Sequence, residues 1–208
     1  MKNTLISLFL LASAFFASAQ TAQETGLLRA EVEKDLTGNI LPFWMNSSVD
    51  PAGGFYGIIG EDGKAVESAD KSSLMTARIL WTFSRAYRQY GLEDYRKMAD
   101  RSACYLLDHC MDRRHGGLFW TLDCDGAVKD GTKMTYAAAF GIYGLSEHFR
   151  ATGNRVSLDN AIALYRLLEE KVRDKDRMGY YEAFDRAYAD WHVKGVDGRI
   201  VPKTMNTH

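Results

Sequence analysis

Histidines are the side chains of this sequence that can exchange protons near neutral pH, because the imidazole pKa lies close to that range. The sequence contains five of them: His109, His115, His148, His192 and His208. The first two are six residues apart and lack a third ligand at a spacing typical of zinc sites, so they predict no metal centre. For the first four we expect structural positions on helix or loop surfaces.

Carboxylates offer a second kind of chemistry. Hydrolysis of a glycosidic bond needs two carboxyl groups on opposite sides of a cleft. Glu182 and Asp190 are the acidic residues near aromatic loop segments that could supply such a pair. A glycoside hydrolase is therefore one hypothesis that the residue types allow.

Aromatic side chains are frequent around the predicted loops, and they suit a carbohydrate ligand because a sugar presents a C–H face and a hydroxyl edge. We expect all four tryptophans on or beside loop ends, and half or more of the rings in loop packing. The rings concerned are Trp44, Trp81, Trp120, Trp191, Tyr56, Phe119, Tyr180 and Tyr181. They predict a small-molecule sugar as the partner.

The composition narrows the classes of partner. The chain has 208 residues, 46% hydrophobic content and a formal net charge of −1, which is typical of one globular core. A balanced charge gives no electrostatic reason to expect nucleic acid or an anionic membrane as partner. The three cysteines lack metal-ligand spacing, and Cys104 falls among apolar helix positions, where a small buried side chain is expected. Redox chemistry is not indicated.

The first twenty residues resemble a secretory signal peptide. Lys2 precedes a short apolar run, and small residues stand at the end of it, with cleavage expected near Ala19. We therefore predict a signal peptide over 1–19 and a mature chain from residue 20 that is exported to the periplasm or secreted.

Glycine-aromatic segments recur along the chain at intervals of about 62 residues, which predicts a repeated structural unit. The segments are "GGFYG" (53–57), "GGLFW" (116–120) and "MGYYEAF" (178–184). Apolar spacings of three and four predict helices over 24–45, 68–90, 94–111, 133–151 and 157–173. Gly91 is expected to end the second of these helices. The start of a sixth helix is expected at "VPKTMNTH", residues 201–208.

The Asp-Gly pairs between the helices predict small β-hairpins. "DCDG" (123–126) lacks the ligand spacing and final glutamate of an EF-hand, so a chain turn is expected there instead of a calcium site. The sequence as a whole predicts an all-α fold of helical hairpin repeats, either an (α/α) toroid or an open solenoid, with small β-hairpins on the loops.

Eight segments together resemble one known family. They are "NILPFWM" (39–45), "GGFYG" (53–57), "ARILWTFSRAY" (77–87), "TYAAAFGIYGLSE" (135–147), "ALYRLLEEKVRD" (163–174), "GYYEAF" (179–184), "ADW" (189–191) and "KTMNTH" (203–208). In this order they are similar to the N-acylglucosamine 2-epimerase superfamily, and within it to the cellobiose 2-epimerases. The resemblance implies an (α/α)6 barrel, of which residues 20–208 would form the N-terminal half of a truncated catalytic domain.

The resemblance also implies an activity. Such enzymes epimerise C2 of the reducing-end aldose, here of a β-1,4-linked disaccharide such as cellobiose or of an N-acylglucosamine. A base removes the C2 proton, an enediolate forms, and an acid returns a proton to the opposite face. The chemistry asks for groups that exchange protons near neutral pH and for a cation near O1 and O2. No cofactor is implied.

Four residues take roles from the resemblance. Arg78 matches the arginine that stabilises the enediolate, and Tyr136 matches a tyrosine that lines the sugar pocket. Asn206 matches an asparagine that binds sugar hydroxyls, and His208 matches the first histidine of an Asn-x-His-x-His pattern. The two acid/base histidines are expected beyond residue 208. The alternatives to an epimerase are the secreted hydrolase above and a non-catalytic carbohydrate-binding fragment; the oligomeric state is not indicated.

Overall fold

The computed structural model describes residues 23–205 and residue 207. The predicted signal peptide, residues 1–19, lies outside the described residues, as do Asn206 and His208. No helix within the described part of the chain is both long enough and apolar enough to cross a membrane.

The chain divides into two compact units, with the boundary between Asn46 and Ser47. The described part of the first unit is helical: α1 covers 23–35, a π-helical turn covers Leu36–Ile40, and α2 covers Leu41–Ser47. The helix that the sequence predicts over 24–45 is therefore present.

The second unit contains four longer helices: α3 (Ser73–Tyr90), α4 (Glu93–Tyr105), α5 (Thr135–Thr152) and α6 (Arg155–Leu167). π-Helical turns extend α4 and α6, at Leu106–Cys110 and Leu168–Val172. All four match predicted helices. The first of them begins later than predicted, because the residues before Ser73 form a loop and a short strand.

Glycines end the two inner helices of these hairpins, as the sequence predicts for Gly91. Gly91 (φ 69°) and Gly153 (φ 74°) adopt the left-handed conformation that disfavours a side chain. Their N–H groups donate to the carbonyl oxygens of Tyr87 and Phe149, which satisfies the last turns of α3 and α5.

Helices α3 and α5 lie side by side and run in the same direction. Arg78 meets Tyr136 near their N-termini, and Arg88 meets Glu147 near their C-termini. The two backbones approach closely: a Cβ atom on Gly144 would lie 2.6 Å from the carbonyl oxygen of Ala77. The core around this contact consists of Leu80, Phe83, Leu106, Leu145 and Leu164, with others.

Short strands lie in the connections between the helical hairpins: β1 (Lys71–Ser72), β2 (Thr121–Leu122), β3 (Val128–Asp130), β4 (Lys133–Met134) and β5 (Ala183–Phe184). β2 pairs antiparallel with both β1 and β3, and β4 pairs antiparallel with β5. The β2–β3 hairpin confirms the predicted Asp-Gly turn, since Asp123 Oδ1 accepts hydrogen bonds from the N–H groups of Asp125 and Ala127. In the earlier loop the expected hairpin is reduced to a single bridge, Ile59–Ala65.

An aspartate–lysine ion pair recurs in each repeat. Asp50, Asp112 and Asp174 follow one another at the repeat interval, and Oδ2 of each accepts a hydrogen bond from a lysine. Lys71 and Lys133 lie shortly before α3 and α5, and Lys203 lies 29 residues after Asp174. The Nζ–Oδ2 distances are 2.6 Å for Lys71–Asp50, 3.0 Å for Lys133–Asp112 and 2.6 Å for Lys203–Asp174. We call these three pairs the Asp–Lys clamps.

Four expectations from the sequence are wrong. Cys104 is exposed, whereas Cys110 is the buried thiol; all three cysteines are free. His148 is fully buried, not on the helix surface. Trp81 lies in the middle of α3, away from a loop end. Residues 201–205 form bends and a turn instead of the first turn of a sixth helix, because the Pro202 carbonyl oxygen accepts from the N–H of Glu182 and not from a helical N–H.

Candidate functional site

Arg78 lies in the second turn of α3, half-buried against α5. Its Nη2 donates a hydrogen bond to the hydroxyl oxygen of Tyr136 at 2.9 Å. The guanidinium carbon also lies 4.5 Å from the centre of the Phe140 ring, a distance at which a cation is attracted to the π face. The structure therefore brings together two of the four residues that the resemblance assigns to a site.

In the part of the chain that the structure describes, no neighbouring acid neutralises the charge of Arg78. Among residues 23–205 and 207, Arg78 forms no ion pair with a carboxylate. Its surroundings are a phenol hydroxyl and aromatic rings, which orient the guanidinium without cancelling its charge. Both helices also present their N-terminal ends here, where the helix dipole favours negative charge. Such a place can stabilise an anionic group on a ligand.

Aromatic rings continue from Arg78 along the same face of the helix pair. Tyr136 and Phe140 make an edge-to-face contact at 5.0 Å, and Phe140 contacts Tyr143 in the same way at 6.0 Å. Trp81 stacks on Tyr143 with ring centres 4.9 Å apart. Flat rings beside polar groups are suited to a sugar.

The start of α5, which carries Tyr136, is held by the loop that follows α6. Thr135 N–H donates to the Glu182 carbonyl oxygen at 3.1 Å, and Thr135 Oγ1 donates to the Tyr181 carbonyl oxygen at 2.6 Å. The second Asp–Lys clamp holds the preceding strand, since Lys133 and Asp112 are nearly inaccessible to solvent. The loop after α6 and the second Asp–Lys clamp therefore fix the backbone position from which the Tyr136 side chain extends.

Burial by itself would raise the pKa of the Asp112 carboxyl. Hydrogen bonds from Arg186 and Lys133, and from the N–H groups of Arg114 and His115, instead hold its pKa well below the usual value. Burial lowers the pKa of Lys133, and the Asp112 carboxylate opposes that shift. We infer a structural role for this charged cluster, because every charge in it faces a partner.

The described residues of the loop segment 202–207, which are 202–205 and 207, pack onto the same region. Glu182 N–H donates to the Pro202 carbonyl oxygen at 2.9 Å, and Glu182 Oε2 accepts from Thr204 Oγ1 at 2.6 Å and from Thr207 Oγ1. The third Asp–Lys clamp adds Lys203, and its hydrogen bond holds the pKa of Asp174 below the usual value. Asn206 falls within this segment by sequence and His208 follows it directly; these other two residues that the resemblance assigns lie outside the described residues.

Glu182 and Asp190 do not form the open acid pair that hydrolysis requires. Glu182 is 2% exposed and its carboxylate is bound by threonine hydroxyls. Asp190 is on the surface, where its Oδ1 lies 2.7 Å from His192 Nδ1 and where a backbone N–H lowers its pKa. Glu182 is therefore hydrogen-bonded in the interior, and Asp190 is paired with a histidine on the surface.

His148 joins three helices in an arrangement of the serine–histidine–aspartate type. Its Nδ1 lies 2.7 Å from Ser157 Oγ, and its Nε2 lies 2.9 Å from Asp100 Oδ1. The serine, however, is fully buried at the start of α6, so no substrate could reach its hydroxyl. We infer a structural hydrogen-bond bridge between α4, α5 and α6.

Metal binding finds no support in the part of the chain that the structure describes, since it contains no group of three His, Cys, Asp or Glu side chains that could hold an ion. His109 stacks on Tyr105 with ring centres 4.5 Å apart, and the N–H of His115 donates to Asp112. These two histidines therefore have packing and turn roles in the structure.

The fold agrees with that of a known family. The model of the N-acylglucosamine 2-epimerase (GlcNAc 2-epimerase) family matches residues 54–196, more than half of the sequence, and the chain belongs to this family. Two curated relatives are both named cellobiose 2-epimerase. The one from Bacteroides fragilis is 44% identical over 88% of this chain and 47% of its own length, and one from Ruminococcus albus is 35% identical over 86% and 46%.

Solved structures give the same result. The cellobiose 2-epimerase from Bacillus thermoamylovorans is 35% identical, with a TM-score of 0.82 over 88% of this chain and 47% of that one. That from Spirochaeta thermophila is 36% identical, with a TM-score of 0.81 over 87% and 45%. These matches confirm the predicted class of helical hairpins from an (α/α)6 barrel. The chain spans about half the length of the curated relatives it matches.

Sequence reasoning missed Phe140, Glu182 as a loop anchor, and the Asp–Lys clamps. The clamps had a signal in the sequence, since three aspartates recur at the repeat interval. Phe140 is four residues after Tyr136 and therefore on the same helix face. The hydroxyl bonds of Glu182 had no such signal, because they join residues that no short motif links.

Proposed function

We propose that the protein is a carbohydrate 2-epimerase that inverts C2 of a reducing-end aldose through an enediolate. The observation that carries the proposal is the Arg78 guanidinium, oriented by Tyr136 and free of an acidic neighbour among the described residues. Membership of the N-acylglucosamine 2-epimerase family supports the reaction class.

Arg78 would act on the charge that develops after proton removal. When the C2 proton leaves, negative charge spreads over O1 and O2 of the sugar, and a preorganised cation lowers the free energy of that state more than that of the neutral sugar. Tyr136 holds the guanidinium in place and lines the pocket. No cofactor is required, because the same carbon loses and regains a proton. The acid/base histidines belong, in this proposal, to the part of the family fold that this chain does not span.

The proposed substrate is a β-1,4-linked disaccharide of the cellobiose type. This choice rests on relatives that carry the name cellobiose 2-epimerase. An N-acylglucosamine is the second candidate, supported by the family description. The aromatic face beside Arg78 suits either sugar.

Deuterium exchange tests the reaction. The full-length gene product is incubated with cellobiose in D₂O, and C2 of the reducing glucose is followed by NMR. We expect deuterium at C2 together with the manno epimer, and N-acetylglucosamine is run in parallel. No exchange with either sugar would contradict the proposal, whereas exchange with the amino sugar alone would change the substrate.

A glycoside hydrolase is not favoured as a second function. Its two candidate acids lie in different environments: Glu182 is buried and hydrogen-bonded, and Asp190 is on the surface. The hydrolase hypothesis would require two results. The protein would have to release glucose from cellobiose, and replacing Glu182 and Asp190 would have to abolish this release.

We also propose export of the protein, on the basis of the first twenty residues alone. Export would place an epimerase where it meets oligosaccharides before their uptake. Edman sequencing of the protein recovered from the periplasm or medium should begin near Gln20. Recovery of the uncleaved chain from the cytoplasm would contradict export.

A further inference from the structure

Glu182 combines deep burial with a lack of cationic partners among the described residues. The residue is 2% exposed, and within residues 23–205 and 207 it forms no ion pair. Burial of a carboxylate is costly unless hydrogen bonds or an opposite charge compensate it. Here the compensation comes from the hydroxyls of Thr204 and Thr207, both on Oε2.

The repeat shows that the fold does not need an acid at this position. Trp120 stands 62 residues earlier, and its carbonyl oxygen accepts from the N–H of Ser73, the first residue of α3. The carbonyl oxygen of Glu182 accepts from the N–H of Thr135, the first residue of α5, in the same way. A tryptophan therefore serves the same backbone role in one repeat, and the Glu182 carboxylate does something additional.

The additional hydrogen bonds of Glu182 go to the segment 202–207. Its backbone N–H binds the Pro202 carbonyl oxygen, and its carboxylate binds the two threonines. Gly195 packs against its side chain so closely that a Cβ atom there would lie 2.7 Å from Glu182 Cγ. The carboxylate is therefore held in one position between the start of α5 and this segment.

We propose that Glu182 is a positioning residue of the sugar site, which joins the segment 202–207 to the first turn of α5. On one side of this link is Tyr136, which orients Arg78. On the other side are Thr204 and Thr207, which flank Asn206 in the sequence. The proposal rests on the epimerase function proposed above, and Glu182 itself does not transfer a proton to the sugar.

The test compares two buried glutamates in the full-length gene product. Glu182→Ala removes both threonine bonds, and Glu147→Ala removes the second buried glutamate, which lies at the far end of α5 and pairs with Arg88 and Arg150. Steady-state epimerisation of cellobiose is measured at a temperature where circular dichroism shows both variants folded. We expect E182A to raise KM about tenfold, which corresponds to a loss of about 1.4 kcal/mol in sugar binding. E147A should lower Tm with KM unchanged.

Conservative variants separate positioning from stability. Glu182→Gln keeps one acceptor oxygen, and its KM should lie close to that of the unaltered protein. Thr207→Val keeps the shape of the side chain but loses the hydroxyl, and we expect it to raise KM in the same direction as E182A. If E182A does not fold, E182Q and T207V provide the comparison, and a KM for T207V equal to that of the unaltered protein then overturns the proposal.

The outcomes distinguish the two proposals. No deuterium exchange by the unaltered protein overturns the epimerase function, and the role of Glu182 in it. Exchange by the unaltered protein, with the KM of E182A no higher than that of E147A, overturns the role of Glu182 alone.

Discussion

The two ends of the α3–α5 pair carry arginines in opposite electrostatic settings. At the loop-bearing end, Arg78 binds a neutral phenol and lies over the Phe140 ring. At the far end, Arg88 and Arg150 each lie 3.0 Å from an oxygen of the buried Glu147 carboxylate. The same side chain therefore remains an available cation at one end and half of an ion pair at the other.

This difference indicates where an anionic intermediate could be stabilised. A guanidinium already paired with a carboxylate gives less stabilisation to a second anion, because the carboxylate repels that anion and occupies donors of the guanidinium. One held by rings and a hydroxyl keeps its charge for a ligand. Four changes test the contrast between the two ends.

The largest effect is expected from Asp112→Asn, which weakens the support of the loop-bearing end. Lys133 and Arg186 would keep their positive charges without the buried carboxylate. Loss of one partner of a buried ion pair costs about 3–5 kcal/mol in the free energy of unfolding. Urea unfolding at pH 7 measures this cost, and a loss below about 1 kcal/mol would show that the clamp is not a major support.

The pH dependence of the same variant has a definite sign. The pKa of Asp112 is depressed in the folded protein, so its contribution is complete above its ordinary value of 3.8 and is lost as the pH falls below it. The difference in stability between the unaltered protein and D112N should therefore narrow as the pH is lowered through this region. A difference that stays constant down to pH 2 would contradict the assigned ion pairs.

Arg78→Ala is expected to give the next largest effect. Removing a preorganised group that stabilises an oxyanion lowers kcat by about 100- to 1000-fold. Arg88→Ala on the same helix is the matched control, and we expect its kcat within about twofold of the unaltered protein, because its partner Glu147 lies at the far end. Equal losses from both changes would remove the distinction between the ends.

Tyr136→Phe tests the hydroxyl that orients Arg78. The ring and its contact with Phe140 are kept, and only the hydrogen bond to Arg78 is lost. We expect kcat/KM for cellobiose to fall about tenfold, since one hydrogen bond to a charged group is removed. Tm should stay almost unchanged. A fall in Tm without a change in kcat/KM would make Tyr136 a packing residue.

Asn154→Ala should have the smallest effect and acts near the far end. Asn154 Oδ1 caps α6 by accepting from the N–H of Ser157 at 3.2 Å. Loss of such a cap costs about 1 kcal/mol in the free energy of unfolding. Thermal unfolding and epimerisation assays should show this loss with KM unaltered; a raised KM would show that the two ends are coupled.

Local patterns in the sequence predicted the helices because their signals are local. The apolar spacing of α3 to α6, the glycine at position 91 and the Asp-Gly turn after β2 each depend on residues close in the chain. The pairing of Arg78 with Tyr136 was approached only through the family resemblance, since 58 residues separate them. The expectation for Cys104 was wrong for a similar reason. A stripe of apolar residues predicts which face of a helix is packed, but not how far along the helix the packing neighbours extend.

The sequence by itself determined the repeat, the helical hairpins and the family resemblance, because residue spacing along a helix decides which side chains share a face. The tertiary structure decided which partner each charged side chain has. Glu147 and Glu182 are both buried glutamates, but one faces two arginines and the other faces two threonines. Those partners come from distant parts of the chain, and only the packing of α3, α5 and the loops brings them together.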